Sequence, residues 1–319
     1  MLRFLIRRTS FGVVVMWLVA TIVFAMYFIA PHDVARTLAG RQASAATVAA
    51  IRHNLGLDRP ILVQYGSFVW RALHGNLGYS YANSEPVTTL IGQDLPVTAS
   101  LVVGGAFLWL VLGVSTGVLA STRPRSVIDR TTTGFSLLFY SMPTFLLGQV
   151  LLFVLFFRLR LLGVDWFPGA GYVPFTQDPL QWARYLVLPW LTIALVTAAT
   201  YVRLTRGSML DVMGEDYIRT ARGKGIRESR VIYRHGLRAA LTPVLTQFGI
   251  DVGTLLGGAI VTENIFGLPG LGELAITSLS KQDLPTIIGL VLLASAFVVV
   301  ANIVVDILYS LLDARVRLS

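Results

Sequence analysis

The chain has 319 residues, 55% of them hydrophobic and only 13% charged, with a formal net charge of +9 and a mean hydropathy of +0.69. Soluble domains sit near about 50% apolar and about 25% charged residues, so this composition excludes an ordinary soluble domain. The sequence contains no cysteine, which excludes disulfides, thiolate catalysis and zinc–thiolate sites.

In chain order, Arg3, Arg7 and Arg8 precede a charge-free run over 9–30. The run is longer than the roughly 7–15 residues of a signal-peptide core, so a retained helix is expected. Further runs cover 95–122, 131–157, 185–202, 239–262 (interrupted only by Asp251) and 284–305. Each is long enough to cross about 30 Å of hydrocarbon, which takes roughly 20 helical residues. The pattern predicts an all-α integral membrane protein with six transmembrane helices. Three units are expected: an N-terminal helix over 1–30, an extracytoplasmic segment over 31–94, and a core over 95–319.

The segment 31–94 carries two amphipathic patterns. "SAATVAAIRHNLGL" has Ser44 or Thr47 as a candidate N-cap and Gly56 as a stop signal. "DRPILVQYGSFVWRALHGNLG" places Ile61, Tyr65, Phe68, Val69 and Leu73 on one face, closed by Gly75. The connection 159–184 is irregular, and 263–283 contains the turn-rich "GLPGLGEL". Pro143, Pro189 and Pro243 fall in or at the ends of spans, where freed carbonyls need local partners.

Charge asymmetry orients the chain. The pieces 1–8, 123–130, 203–238 and 313–319 hold 17 of the 26 basic residues, whereas the opposite loops hold nine basic and nine acidic residues. By the positive-inside rule the basic pieces, and both termini with them, face the cytoplasm. The net charge thus reflects topology. Its basic residues are not interleaved with stacking aromatics on a soluble surface, so no nucleic-acid partner is expected.

Chemistry-bearing motifs are missing. No GxxxxGK[ST], HExxH or GxSxG occurs, and His32, His53, His74 and His235 have no ligand spacing. Catalytic, cofactor and metal sites are therefore not expected on this chain. Gly249, Gly253 and Gly257 recur every four residues in the fifth span, as do Gly113 and Gly117 in the second. Such spacing admits close helix contact, either within the chain or between subunits. Asp251 is offset by two from the glycines and so points away from them. A charge facing lipid would cost several kcal/mol, so it should face the bundle interior, a pathway or a partner helix, or be a hydrogen-bonded structural acid. Asp251 and Asp306 are the groups that a self-sufficient secondary transporter or channel would have to use.

The basic stretch 203–238 reads as a short helix near Glu215–Arg222, a break at Gly223 and Gly225, and a second helix entering span five. Tyr217, Ile218 and Ala221 form a small apolar face suited to a protein socket. The competing reading is attraction to anionic headgroups, about 1 kcal/mol per basic residue.

"DYIRTARGKG" followed by "HGLRAALTP" resembles the EAA-type cytoplasmic loop of ABC-importer permease subunits, in its peptide-permease form. Arg219, Thr220 and Ala221 occupy the Glu-Ala-Ala positions, Gly225 is the motif glycine, and His235 to Arg238 stand at the motif's end. "LGLDRP", "HGNLGYSY", "LPVTASL", "SMPTF", "TENIFGLPGLGEL" and "VDILYSLLDARVR" extend the resemblance over nearly the whole chain in family order. It implies a type I ABC-importer transmembrane fold in a prokaryotic cell membrane, as the first of two permeases of an oligopeptide or dipeptide importer. The implied partners are a second homologous permease, two ATP-binding subunits carrying ATP and Mg, an extracytoplasmic substrate-binding protein and membrane lipid. The loop residues Glu215, Asp216, Tyr217, Arg219, Thr220, Ala221, Gly225, His235 and Leu237 would couple to an ATPase. Asn76 stands where the family usually has Asp, and "PHDVA" replaces a more Gly/Pro-rich opening; both bear on substrate preference, not energy coupling.

Overall fold

The computed structural model describes residues 2–26, 36, 44–54, 56 and 58–312, so the "PHDVA" segment and the stretch 313–319 lie outside the described residues. Its helices are α1 (Leu2–Phe24), α2 (Ala45–Asn54), α3 (Ile61–Leu73), α4 (Val87–Thr122), α5 (Val127–Ser141), α6 (Thr144–Leu161), α7 (Pro179–Met213), α8 (Asp216–Gly223), α9 (Glu228–Leu256), α10 (Ile260–Phe266), α11 (Leu271–Ser280) and α12 (Leu284–Leu312). A two-stranded hairpin, β1 (Tyr79–Ser80) and β2 (Glu85–Pro86), pairs Tyr79 with Pro86 and Ser80 with Glu85 in antiparallel register.

Six helices among the described residues are long and apolar enough to cross a membrane: α1, α4, α6, α7, α9 and α12. The third differs from expectation. The charge-free run 131–157 is not one helix but breaks at Met142, which is extended at φ −79°, ψ 127°. The cause is Pro143, whose ring disfavours helical backbone in the residue before it. Helix α5 lies before the break and the spanning helix α6 after it. The fifth run is also shorter than expected. Helix α9 stops at Leu256, and Gly258, at φ +130°, packs its Cα side against the backbone of Gly272, where a Cβ would lie 3.1 Å away.

Helix α7 is the spine of the bundle. Asp178 caps it, accepting from Leu180 N at 2.9 Å and Gln181 N at 3.1 Å, and Pro179 fills the first position, where its missing N–H costs nothing. Leu186, Leu188, Ile193, Ala194, Ala198 and Tyr201 bury against Leu101, Ala106 and Trp109 of α4. Close approach is set by glycine: Gly104 receives the Trp190 indole, Gly113 receives Tyr201 and Gly117 receives Thr205. These pairs advance together along both helices, so α4 and α7 run parallel. Gly249, Gly253 and Gly257 of α9 meet Val305, Ala301 and Ala294 of α12, an antiparallel contact within the chain.

At the basic end, Arg206 of α7 donates from Nε to Asp129 Oδ1 at 2.6 Å and from Nη2 to Oδ2 at 2.8 Å, while Arg125 N donates to Oδ2 at 2.8 Å. Ser126 caps α5 by accepting from Asp129 N at 3.2 Å. The Arg206 hydrogen bonds, helped by the Arg125 amide, hold the Asp129 carboxyl at about 2, below its ordinary 3.8. A carboxyl whose folded pKa is depressed stabilises the fold above its ordinary pKa and loses that contribution as pH falls through the folded value. Asp129→Asn should therefore lower the melting temperature at pH 7, and the gap to the native chain should close as pH falls from about 4 toward about 2. A gap of constant size across that range would show that the pair's ionisation contributes nothing.

At the opposite end, Tyr65 and Phe68 of α3 pack on Phe24 of α1, Tyr65 Oη lies 2.7 Å from Thr21 Oγ1, and Ile288 and Leu292 of α12 complete the cluster. Ile61 and Leu73, expected on this inner face, are instead exposed. Leu73 falls at the edge of the buried arc, which is centred on Tyr65, Phe68 and Val69, whereas Ile61 shares that arc but is the first residue of the helix, beyond the cluster. Ser80 of the hairpin and Thr286 of α12 both donate to the buried Asp283 carboxylate, which pins the hairpin over the start of α12.

Candidate functional site

Helix α8 sits between the ends of α7 and α9. Asp216 in its first turn and Arg222 in its last match the helix dipole. Its end is a Schellman closure: Ile226 N donates to Ala221 O at 3.3 Å and Gly225 N donates to Arg222 O at 2.9 Å. Gly225 takes the left-handed position at φ +71°, and nothing lies within 4 Å of the Cβ it lacks. The glycine is thus required for its backbone angle, not for a close approach. Across the turn, Arg222 Nη2 donates to Glu228 Oε1 at 2.8 Å, an exposed pair worth at most about 1 kcal/mol.

The apolar face expected to meet a partner is divided. Ile218 and Ala221 are buried in the chain itself, against Val231 with Val212, Met213 and Ile226 around them. Ala221 is therefore a seat for α8, not an outward contact, which corrects the expectation from the sequence. One turn of α8 can turn only one side to α9, and the two smaller aliphatic residues take it. Tyr217 remains 47% exposed, and Glu215, Asp216, Arg219 and Thr220 are exposed around it. His235 is half-buried, and Leu237 packs on the cluster of Met209, Val118 and Ala240. The loop is thus a rigid platform that displays one large amphipathic side chain among charges.

Asp251 lies between α9 and α7, accepting from Tyr201 Oη at 2.8 Å and from Gln247 Nε2 at 2.9 Å, on the side of α9 away from the glycine contact with α12. Asp306 pairs with Arg8 Nε at 2.8 Å, joining α12 to α1. Both carboxylates that an ion-coupled transporter would need are engaged in holding helices together. Asn76 Oδ1 accepts from Gly78 N at 3.0 Å in the turn before the hairpin.

A second constellation escaped the sequence reading. Glu263 of α10 is fully buried. Its Oε1 accepts from Thr98 Oγ1 of α4 at 2.7 Å, and its Oε2 accepts from Gly272 N at 2.7 Å and Glu273 N at 3.2 Å. Thr98 Oγ1 in turn accepts from Leu271 N at 2.9 Å. Gly270, which begins α11, has no side chain to cap it, so a distant carboxylate and hydroxyl satisfy the free N–H groups of that helix. Burial pushes the Glu263 carboxyl above its usual range, while the hydrogen bonds from Thr98 and the two amides pull the other way. A Cβ on Gly270 would lie 2.5 Å from Glu263 Oε2, and one on Gly272 would lie 2.6 Å from Ile260 Cα. The signal in the sequence was a lone acid just after a long apolar run, followed by closely spaced glycines.

Residues 111–318 match the family described as binding-protein-dependent transport system inner membrane component, and residues 1–102 match the N-terminal component of the same systems. A peptide transport system permease protein of Brucella abortus is 41% identical over 98% of each chain. A peptide ABC transporter permease protein of Sinorhizobium fredii is 37% identical over 98% of this chain and 99% of its own. The dipeptide transport system permease protein DppB of Escherichia coli is 36% identical over 99% of each. The chain belongs to the family of inner-membrane permease components of binding-protein-dependent transport systems. It is a multi-pass transport subunit of the inner membrane, not an enzyme.

Proposed function

We propose that this chain forms half of the translocation pathway of an ATP-driven peptide importer with the type I transmembrane arrangement. Its partners are a second homologous permease, two ATP-binding subunits that carry ATP and Mg, and an extracytoplasmic binding protein. The basic end, with both termini, faces the cytoplasm, in accord with the charge asymmetry. The segment 31–94, α3 and the hairpin included, faces the binding protein and the mouth of the pathway as a unit added to the core over 95–319.

The observation that carries the reading is α8. It is a short helix locked to its own chain through Ile218 and Ala221, with Tyr217 presented outward. A seated helix transmits displacement in both directions, and an exposed tyrosine suits an anchor in a partner's pocket. Glu215, Asp216, Arg219 and Thr220 orient the encounter more than they hold it. Leu237 packs the start of α9 against Met209 and Val118, and half-buried His235 lies in the same stretch.

The test is co-purification with the ATP-binding subunits. Tyr217→Ala should reduce their retention about tenfold, which is roughly 1.4 kcal/mol. Gly225→Val should do the same by a different route, because a β-branched residue resists the left-handed angle, whereas Gly225→Asn should restore most of the retention. Equal retention in all three variants would contradict the assignment of this surface.

A further inference from the structure

Between α3, the hairpin and the start of α12 lies a cavity of about 630 Å³, in the range of small-molecule sites. Its wall is graded. Phe68, Ile288 and Leu292 form a buried apolar part. Arg71, His74 and Tyr79 stand exposed at its other side.

The polar groups are free to receive a ligand. Arg71 uses Nε on Ser67 O at 3.3 Å, which leaves its terminal nitrogens unengaged among the described residues. The Nδ1 of His74, 2.8 Å from Trp70 O, donates to that carbonyl, so Nε2 can donate to an anion only when the ring is protonated. A planar guanidinium, joined by the imidazolium form of this histidine, is suited to a phosphate diester.

Position decides what carries that phosphate. Leu284 and Pro285, which open the spanning part of α12, line the cavity. Phe68, in the cavity wall, packs on Phe24, the last residue of the spanning part of α1. The cavity therefore lies at the boundary of the hydrocarbon, with its apolar part toward the membrane. On α3, Leu62, Trp70 and Leu73 are 81%, 65% and 76% exposed, an apolar outer surface with the tryptophan characteristic of that boundary. A free phosphate would use only the exposed side, and an apolar compound only the buried one.

We propose that this cavity binds a phospholipid, through its phosphate, of the leaflet opposite the basic loops. Its phosphate meets Arg71 and His74, and the first part of one acyl chain lies along Phe68, Ile288 and Leu292. The seated lipid joins α3 and the hairpin to α12.

The experiment uses the assembled transporter in vesicles of phosphatidylcholine and phosphatidylglycerol. The probe is phosphatidylglycerol with a photoreactive group near the top of one acyl chain. Adducts should concentrate on peptides containing Phe68 and Ile288 to Leu292, and fall at least fivefold in Arg71→Glu and in His74→Ala, both at exposed positions, with folding of each variant checked by size exclusion. Labelling spread evenly over the exposed faces of α1, α6 and α12, and unchanged in both variants, would overturn the proposal. So would loss of the label on adding a transported peptide, which would assign the cavity to substrate, or cross-linking of Leu292 to the segment 27–43, which would assign it to the chain itself.

Discussion

Replacing Glu263 by alanine is expected to destabilise the protein by roughly 2–6 kcal/mol. The amides of Gly272 and Glu273 both donate to Oε2, and both lose their acceptor, the first in a buried and the second in a half-buried position. Each buried amide left without a partner costs about 1–3 kcal/mol. Glu263→Gln keeps one carbonyl oxygen for the two amides. Its NH2 cannot accept from Thr98 Oγ1, so a loss of about 1 kcal/mol is expected, the net value of one hydrogen bond. The order native, then Gln, then Ala should appear in thermal unfolding of detergent-purified protein. The connection from α10 to α11 should loosen in the same order, read as amide exchange at 270–274. An alanine variant as stable as the native chain, with unchanged exchange, would show that the buried carboxylate is not what holds α11 to α4.

The second large effect concerns the contact of α4 with α7. A Cβ on Gly113 would lie 2.3 Å from Tyr201 Cβ and 3.2 Å from Ala198 O, so part of the obstacle is backbone that no rotamer change can move. In a close-packed interior even a few added methylenes cost about 1–3 kcal/mol, and more where the backbone must shift. Gly113→Leu should therefore separate the two most buried spans and abolish accumulation of folded protein in the membrane. Gly134→Ala in α5, where nothing lies within 4 Å of the added Cβ, is the matched control. It should be neutral or stabilising by a few tenths of a kcal/mol, as expected for Gly→Ala within a helix. Folded yield is read by size exclusion from equal membrane fractions. Normal yield of Gly113→Leu would contradict the packing described here.

The number of spans was legible because lipid imposes a length and a composition that few other structures share. The glycines of α9 and α4 were legible as contact surfaces because small residues four apart let helices approach closely in lipid. Their partners were not, since spacing reports closeness and not which helix supplies it. The break at Met142 was hidden within an apolar run, where hydropathy is uniform and only Pro143 hinted at a bend. In α8 the boundaries followed from the acids, bases and glycines of the local sequence, but the side turned to α9 did not. Tyr217, Ile218 and Ala221 look alike by pattern, and Val231 from the next helix decides between them. Glu263 illustrates the furthest limit. Its partner Thr98 is 165 residues away, so the hydrogen bond belongs to the tertiary structure and has no local periodicity.

The surface around Tyr217 carries the functional account, and the chain's lack of cysteine makes it directly accessible to chemistry. Tyr217→Cys, labelled with a short photoreactive maleimide in the assembled transporter, reports what lies against α8. The account predicts one dominant adduct to an ATP-binding subunit, changed in yield by ATP. Adducts to phospholipid alone, with none to an ATP-binding subunit in any nucleotide state, would show that the basic loop rests on the membrane and that α8 does not couple this chain to its ATPase.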